Sequence, residues 1–185
     1  MSAIVGLTGR KRSGKDTAAQ VFEASGYTSL SFATMLKAML ATMLEMQGVD
    51  EDTIVRMLHD DLKEVPTPFL NGQTPRHAMQ TLGTEWGRKL IHPDIWVDAT
   101  MRAAEQFDRV IIPDVRFPNE VEAVTSRGGW VYRIVRDGID QDQHESEALI
   151  DTLVVSGELH NTAATAVDFQ LEVVSLLKPM ADTTH

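Results

Sequence analysis

Apolar residues fall along this chain in short runs, separated by longer stretches where they recur every three or four positions. The runs at 3–8, a weaker one at 28–32, and those at 109–112, 129–135 and 151–155 are strand-length and bounded by glycine, proline or charge. Helical spacing fills the intervals. Short strands alternating with helices predict an α/β domain with a mainly parallel sheet flanked by helices. Residues 33–106 read as several helices, too many for one crossover, so a helical substrate-binding insertion is expected inside a single domain spanning 1–185. Proline and glycine breaks at 65–75 read as a loop within that insertion. The acidic stretch after Arg136, with Gly138 at its start, reads as a polar loop and a candidate lid over 137–147.

The first run leads into "GLTGRKRSGKDT", residues 6–17. A phosphate-cradling loop needs Gly, four residues, Gly, Lys and then Ser or Thr. Gly9, Gly14 and Lys15 fit, with Ser13 inside the loop; Asp16 stands where the hydroxyl belongs, and Thr17 follows one step later. The glycines let backbone amides turn inward, Lys15 reaches β- and γ-phosphates, and a helix opening at Thr17 adds its N-terminal dipole. Asp16 could offer carboxylate oxygen to Mg²⁺ in place of the hydroxyl, directly or through water. Arg10, Lys11, Arg12 and Lys15 would repel one another in an empty turn, and a polyanion would relieve that.

Composition narrows the partners. A net charge of −10 argues against the extended basic surface of a polynucleotide binder and favours small anions in a local basic pocket. With no cysteine, disulfides and thiol chemistry are excluded. The N-terminal apolar run precedes its basic cluster, the reverse of secretory order, and no stretch is long enough to span a bilayer. A cytoplasmic protein is expected. Composition leaves a homodimer open.

Drawn as one helix, residues 76–90 place Met79, Leu82, Trp86 and Leu90 on a packing face, with Arg76, Gln80, Thr84 and Arg88 on the other. Trp86 is therefore assigned to the core rather than to base stacking. Gln80 could hydrogen-bond base or sugar; Arg88 could do so or pair with a carboxylate. Asp114 follows Val110-Ile111-Ile112-Pro113 at a strand end, where α/β folds place ligand groups, and could organise Mg²⁺-bound water. Pro113 implies a strand end or edge. Arg116 could meet a phosphate, or hold Asp114 or Glu120 in an ion pair. Arg136 could neutralise transferring charge if the acidic loop closes, whereas Arg133 lies inside the strand and is the weaker candidate. His144 and Glu147 of "HESE" could orient the lid, but Ser146 and Glu147 could simply start a helix.

"GRKRSGKDT", "SFATMLK", "TPRHAMQTLGTEWGR", "HPDIWV", "IIPDVRFPNEVEAV" and "HESE", in this order and spacing, resemble the phage-type deoxynucleoside monophosphate kinase family over nearly the whole chain. That family's loop also reads GKDT. The resemblance implies a P-loop kinase fold, Mg²⁺, and transfer of the ATP γ-phosphoryl group to a deoxynucleoside 5′-monophosphate. For a phage-encoded chain, the cytoplasm expected above is that of the host. The resemblance places Arg12, Gly14, Lys15, Asp16 and Thr17 on the ATP side, and Lys11, Lys37 and Arg76 towards the acceptor. Two alternatives remain. The opening "IVGLTG" also resembles dephospho-coenzyme A kinase-like enzymes, against which "TPRHAMQTLGTEWGR" argues, and a nucleotide-binding module without catalysis would carry the same loop.

Overall fold

The computed structural model describes residues 3–138, 149–162 and 165–181, with side chains up to residue 175. Ala3–Gly9 (β1), Thr28–Ser29 (β2), Arg109–Ile112 (β3), Trp130–Val135 (β4) and Gly157–His160 (β5) form one parallel sheet in the order β2-β3-β1-β4-β5. The central strands are almost wholly apolar because both of their faces are covered. On one face Val5, Leu7, Ile111 and Ile134 pack with Phe22 of helix α1 (Lys15–Ala24) and Phe169 of the C-terminal helix, Ala166–Ala181. Burying each phenylalanine contributes roughly 1.5–3 kcal/mol. On the other face Gly6 admits Val115 and Val131, whose methyls lie 2.9 and 3.1 Å from where a Cβ would be. Pro113 falls just beyond β3, as a residue without an amide proton should.

The fifth strand is not where the apolar run at 151–155 put it. Val154 in that run is exposed, and residues 151–152 form a turn. β5 is instead the alternating Gly157-Glu158-Leu159-His160, paired with β4 alone. An edge strand needs only one apolar side, so alternation and not a continuous run marks it.

The chain folds as two compact units, Met1–Ser31 with Met101–His185, and Phe32–Thr100. The second is helical: α2 Thr34–Glu45, α3 Glu51–His59, short 3-10 turns at Asp61–Glu64 and Pro68–Leu70, α4 Pro75–Gln80, a π-helix Thr81–Ile91, and the start of α5, Ile95–Ala104. Leu36, Leu40 and Leu44, four residues apart on α2, pack with Ile54, Met57, Leu58, Met79 and Trp96. Asp50 caps α3 through the Thr53 amide at 2.9 Å, and Thr74 caps α4 through that of His77 at 3.1 Å. Pro75 occupies the first position of α4, where its missing amide costs nothing.

The single amphipathic helix expected over 76–90 is therefore corrected. It is α-helical only to Gln80 and then widens to bonds spanning five residues, so each residue turns through less than 100° and the drawn face drifts. Met79 stays buried, but Trp86 is 37% and Leu90 75% exposed. Leu82 still packs, partly buried, against the helical core, and the buried residues of this helix are Gly83 and Gly87. Trp96 lies against both: its Nε1 donates to the Gly83 carbonyl at 2.9 Å, and a Cβ on Gly87 would lie 2.6 Å from its ring. Trp86 leans on that ring from outside, centroids 6.1 Å apart.

Candidate active site

β1 ends at Gly9, and residues 10–14 turn the chain back into α1. Gly9 and Gly14 stand at φ 146° and 108°, which other residues reach only with strain. Space enforces the same choice, since a Cβ on Gly9 would meet the Ile134 carbonyl at 2.5 Å and one on Gly14 the Asn161 Nδ2 at 2.6 Å. Arg12 adopts a left-handed φ of 67°, at a cost of roughly 1–2 kcal/mol for a side-chain-bearing residue. The turn is closed by Ser13 N–H donating to Arg10 O at 3.1 Å. Lys15 folds back over it, with Nζ donating to Gly9 O at 2.6 Å and Arg10 O at 2.7 Å. That ammonium and the first amides of α1, which have no partner further up the helix, bring positive charge to the loop. Asp16 is exposed in the first turn of α1, and Thr17 is half-buried beside it.

The crowding of cations in the loop does not need a ligand to relieve all of it, as the sequence suggested. Arg10 pairs with Asp151 of the chain itself. The segment carrying Asp151 is held by Arg133, whose Nη2 donates to the carbonyls of Ile150 at 3.1 Å and Leu153 at 2.6 Å, while Nη1 donates to Glu158 at 2.6 Å. Arg133 is thus tied into the fold at three acceptors.

A cavity of about 290 Å³ opens beyond the carboxyl ends of β1 and β4, lined by Gly9, Arg10, Ser13, Arg136, Asp137 and Asp151 among others. Here the chain leaves β1 towards β2 and leaves β4 towards β5, the switch point at which parallel sheets bind ligands. Ser13 is buried there, and its Oγ has no hydrogen-bond partner among the described residues. Arg12 and Arg136 are exposed. Of the candidate lid, Asp137 and Gly138 form a turn after β4; the rest, with His144, Ser146 and Glu147, lies outside the described residues.

Past β3, the Asp114 Oδ2 accepts from Ser31 Oγ at 2.5 Å. Glu120 is buried in the first turn of α6, Pro118–Thr125, and its Oε2 takes the amides of Arg116 at 2.7 Å and Phe117 at 3.1 Å. Through these backbone amides the carboxylate shapes the turn carrying Asp114 and Arg116.

In the helical unit, Lys37 Nζ lies 3.3 Å from His59 Nδ1. Burial, then Lys37 and Lys63, hold the His59 pKa below the ordinary imidazole value. Arg76 pairs with Glu64. Gln80 is exposed at the end of α4 and Arg88 is half-buried in the π-helix.

Sequence reasoning missed Asn161, Ser31 and Asp151. Asn161 is the residue directly after β5, buried, and its Nδ2 donates to the Ser13 carbonyl at 2.9 Å. The strand-end logic that singled out Asp114 would have found it had the fifth strand been placed correctly.

Residues 61–153 match the family model for deoxynucleotide monophosphate kinase. A relative from Acanthamoeba polyphaga mimivirus, named for deoxynucleotide monophosphate kinase, is 32% identical over 161 residues, covering 78% of this chain and 80% of its own. The chain belongs to the deoxynucleotide monophosphate kinase family. Within that family, the deoxynucleoside-5′-monophosphate kinase of Escherichia phage T5 is 45% identical over 51 residues, 26% of this chain and 20% of the phage protein. Among solved structures, dephospho-CoA kinase from Campylobacter jejuni aligns with TM-score 0.53 at 16% identity, covering all of both chains. TT1252 from Thermus thermophilus aligns with TM-score 0.51 at 18% identity, covering 100% of this chain and 99% of its own. These two show the P-loop kinase fold. No described helix is long and apolar enough to cross a membrane.

Proposed function

We propose that the chain transfers the γ-phosphoryl group of ATP to the 5′-monophosphate of a deoxynucleoside. An acceptor phosphate oxygen bonds to the γ-phosphorus, the bond from that phosphorus to the β–γ bridging oxygen breaks, and ADP and the deoxynucleoside diphosphate leave. The observation that carries this reading is the loop of Gly9–Lys15 in a member of this family, with glycines forced into left-handed backbone and Lys15 poised on the Gly9 and Arg10 carbonyls. Lys15 can exchange those carbonyls for phosphate oxygens without rebuilding the loop. Little covalent help is needed, because the acceptor monoester is largely a dianion above a second pKa of about 6 and the transition state chiefly demands positive charge.

On the ATP side stand Arg12, Ser13, Gly14, Lys15, Asp16, Thr17 and Arg136. Lys11, Lys37, Arg76, Gln80, Arg88 and Arg116 are assigned to the acceptor, following the family resemblance for the first three. Arg76 would leave Glu64 for the acceptor phosphate and use its planar fork. Asp16 and Asp114 suit Mg²⁺, a hard cation bound by one or two carboxylates together with phosphates and water. Both offer oxygen, and Asp114 is already oriented by Ser31. Mg²⁺, when bound, neutralises charge on the phosphoryl oxygens.

The likeness to dephospho-CoA kinase lies in the fold and carries no substrate with it. The deciding experiment supplies ATP and Mg²⁺ with each common deoxynucleoside and ribonucleoside monophosphate in turn, and with dephospho-coenzyme A, and resolves the products by chromatography. Diphosphate formed from one or more deoxynucleotides is expected. ADP appearing only with dephospho-coenzyme A, or with no acceptor, would overturn the reading.

A further inference from the structure

Asn161, at the edge of the sheet, ties down the phosphate loop at Ser13 through its side chain. Its backbone N–H donates to Val135 O at 2.7 Å, extending the ladder of β4 and β5 by one residue and fixing where Asn161 begins. Its Nδ2 then crosses to the Ser13 carbonyl at 2.9 Å, joining positions 148 residues apart in sequence. The contact is close-packed. A Cβ on Gly14 would lie 2.6 Å from Asn161 Nδ2 and 3.1 Å from the Phe169 ring, and Asn161 is only 8% exposed.

The consequence follows from peptide geometry. No peptide bond of the described residues is cis, and in a planar trans peptide the C=O and the next N–H point in opposite directions. Holding the Ser13 carbonyl towards Asn161 therefore turns the Gly14 N–H away from it, towards the opposite side of the loop. Within the loop, the Ser13 N–H to Arg10 O and Ala18 N–H to Gly14 O bonds engage the neighbouring peptides and not this one. Gly14, without a side chain, permits both orientations of this peptide, and no side chain caps the start of α1. We infer that Asn161 is a positioning residue for phosphate recognition: it orients the Ser13–Gly14 peptide so that the Gly14 amide is presented to the nucleotide's phosphates. The inference rests on the nucleotide reading of the loop, but is silent on the acceptor.

Asn161→Asp tests it with almost no change of shape. A carboxylate has no N–H to give and would set an oxygen against the Ser13 carbonyl, so the peptide loses its anchor. Calorimetric titration with Mg²⁺-ADP should show affinity at least about tenfold weaker, about 1.4 kcal/mol by the standard conversion. KM for ATP should rise by a similar factor while KM for the deoxynucleotide moves less than about twofold. A mainly structural role would instead lower the melting temperature and leave ADP affinity per folded molecule unchanged, and that result overturns the proposal. An equal rise in both KM values also overturns it. Wild-type protein supplies an arm independent of variant folding. By NMR the Gly14 amide should shift on adding Mg²⁺-ADP, whereas the Asn161 carboxamide should be protected from exchange before and after. A freely exchanging carboxamide, or an unmoved Gly14 amide in protein that binds ADP, refutes the role of Asn161 alone. Wild-type protein that binds no ADP refutes the nucleotide reading itself.

Discussion

In the sheet unit, Lys15 rests on two backbone carbonyls and Arg133 on two more, whereas in the helical unit Arg76, Arg56 and Lys89 meet carboxylates on side chains that are themselves exposed. The first kind of partner is fixed by the fold. The second is fixed by little more than mutual attraction in water, worth about 0–1 kcal/mol for an exposed pair. Backbone acceptors hold the Lys15 ammonium over the loop in one geometry until phosphate oxygens replace them. Arg76, proposed to grip an exchangeable acceptor, is better served by a partner it can leave. The contrast predicts that substitutions in the sheet unit act through chemistry and loop geometry, while substitution of Arg76 in the helical unit acts through KM.

The largest expected effect tests the first half of the contrast. Lys15→Ala removes the cation proposed to meet the phosphates, and phosphoryl transfer should fall by roughly two to three orders of magnitude or more, as for loss of a transition-state charge donor. Far-ultraviolet circular dichroism should stay that of the wild type. Activity close to wild type in folded protein would remove the phosphate-loop assignment.

Next comes the one place where the helical unit is as tightly built as the loop. Gly87→Ala drives a methyl into the Trp96 ring, where a Cβ would stand at 2.6 Å, so overpacking should cost about 1–3 kcal/mol in urea titrations. Gly83→Ala meets only a Leu36 methyl at 3.3 Å and should cost less. Equal, negligible losses would show that the π-helix does not hold Trp96 as described.

How legible these parts were in sequence follows the same division. The loop could be read because each of its residues answers a local demand: glycine for φ, lysine for charge, a helix start for the dipole. β1 and β3 could be read because burial on both sides makes them continuously apolar. The Gly83–Gly87 seat could not, because the 3.6-residue periodicity that would reveal it fails once the helix widens. Asn161 and Asp151 stayed hidden for a different reason. Their roles depend on partners more than a hundred residues away, Ser13 and Arg10, and on a polar edge strand that the Leu153-Val154-Val155 run mimicked. Glu120 could be assigned an ion pair from sequence, but only the folded turn reveals that it takes two backbone amides.

Arg76 offers a smaller and more selective test. Arg76→Lys keeps the charge and loses the fork, so KM for the deoxynucleotide should rise several-fold while KM for ATP changes little. Its pair with Glu64 is exposed on both sides, so unfolding free energy should move by no more than about 0.5 kcal/mol. If both KM values rise together, or the melting temperature drops sharply with kinetics per folded molecule preserved, Arg76 is structural, and the acceptor contact has to be sought at Lys37 and Arg88.

The smallest effect concerns Lys37, and it can be read without any substrate. Burial, followed by the charges of Lys37 and Lys63, lowers the pKa of His59, so protonating this ring costs more in the folded chain than in the unfolded one. Its contribution to stability is complete above the unfolded value of about 6.5 and is lost as pH falls through the lower folded value. Asp50 and Asp61, whose carboxyls are held low chiefly by the Thr53 amide and by Arg56, contribute acid sensitivity only nearer the carboxylate range, around pH 4. Between pH 7 and 5 the melting temperature of His59→Asn should therefore fall slightly less than that of the wild type. NMR titration sharpens this. Lys37→Met removes one of the two charges beside the ring while leaving most of its burial, so the His59 pKa should rise part of the way towards the ordinary imidazole value. A His59 titration indifferent to Lys37→Met would mean that the 3.3 Å contact is not held in solution.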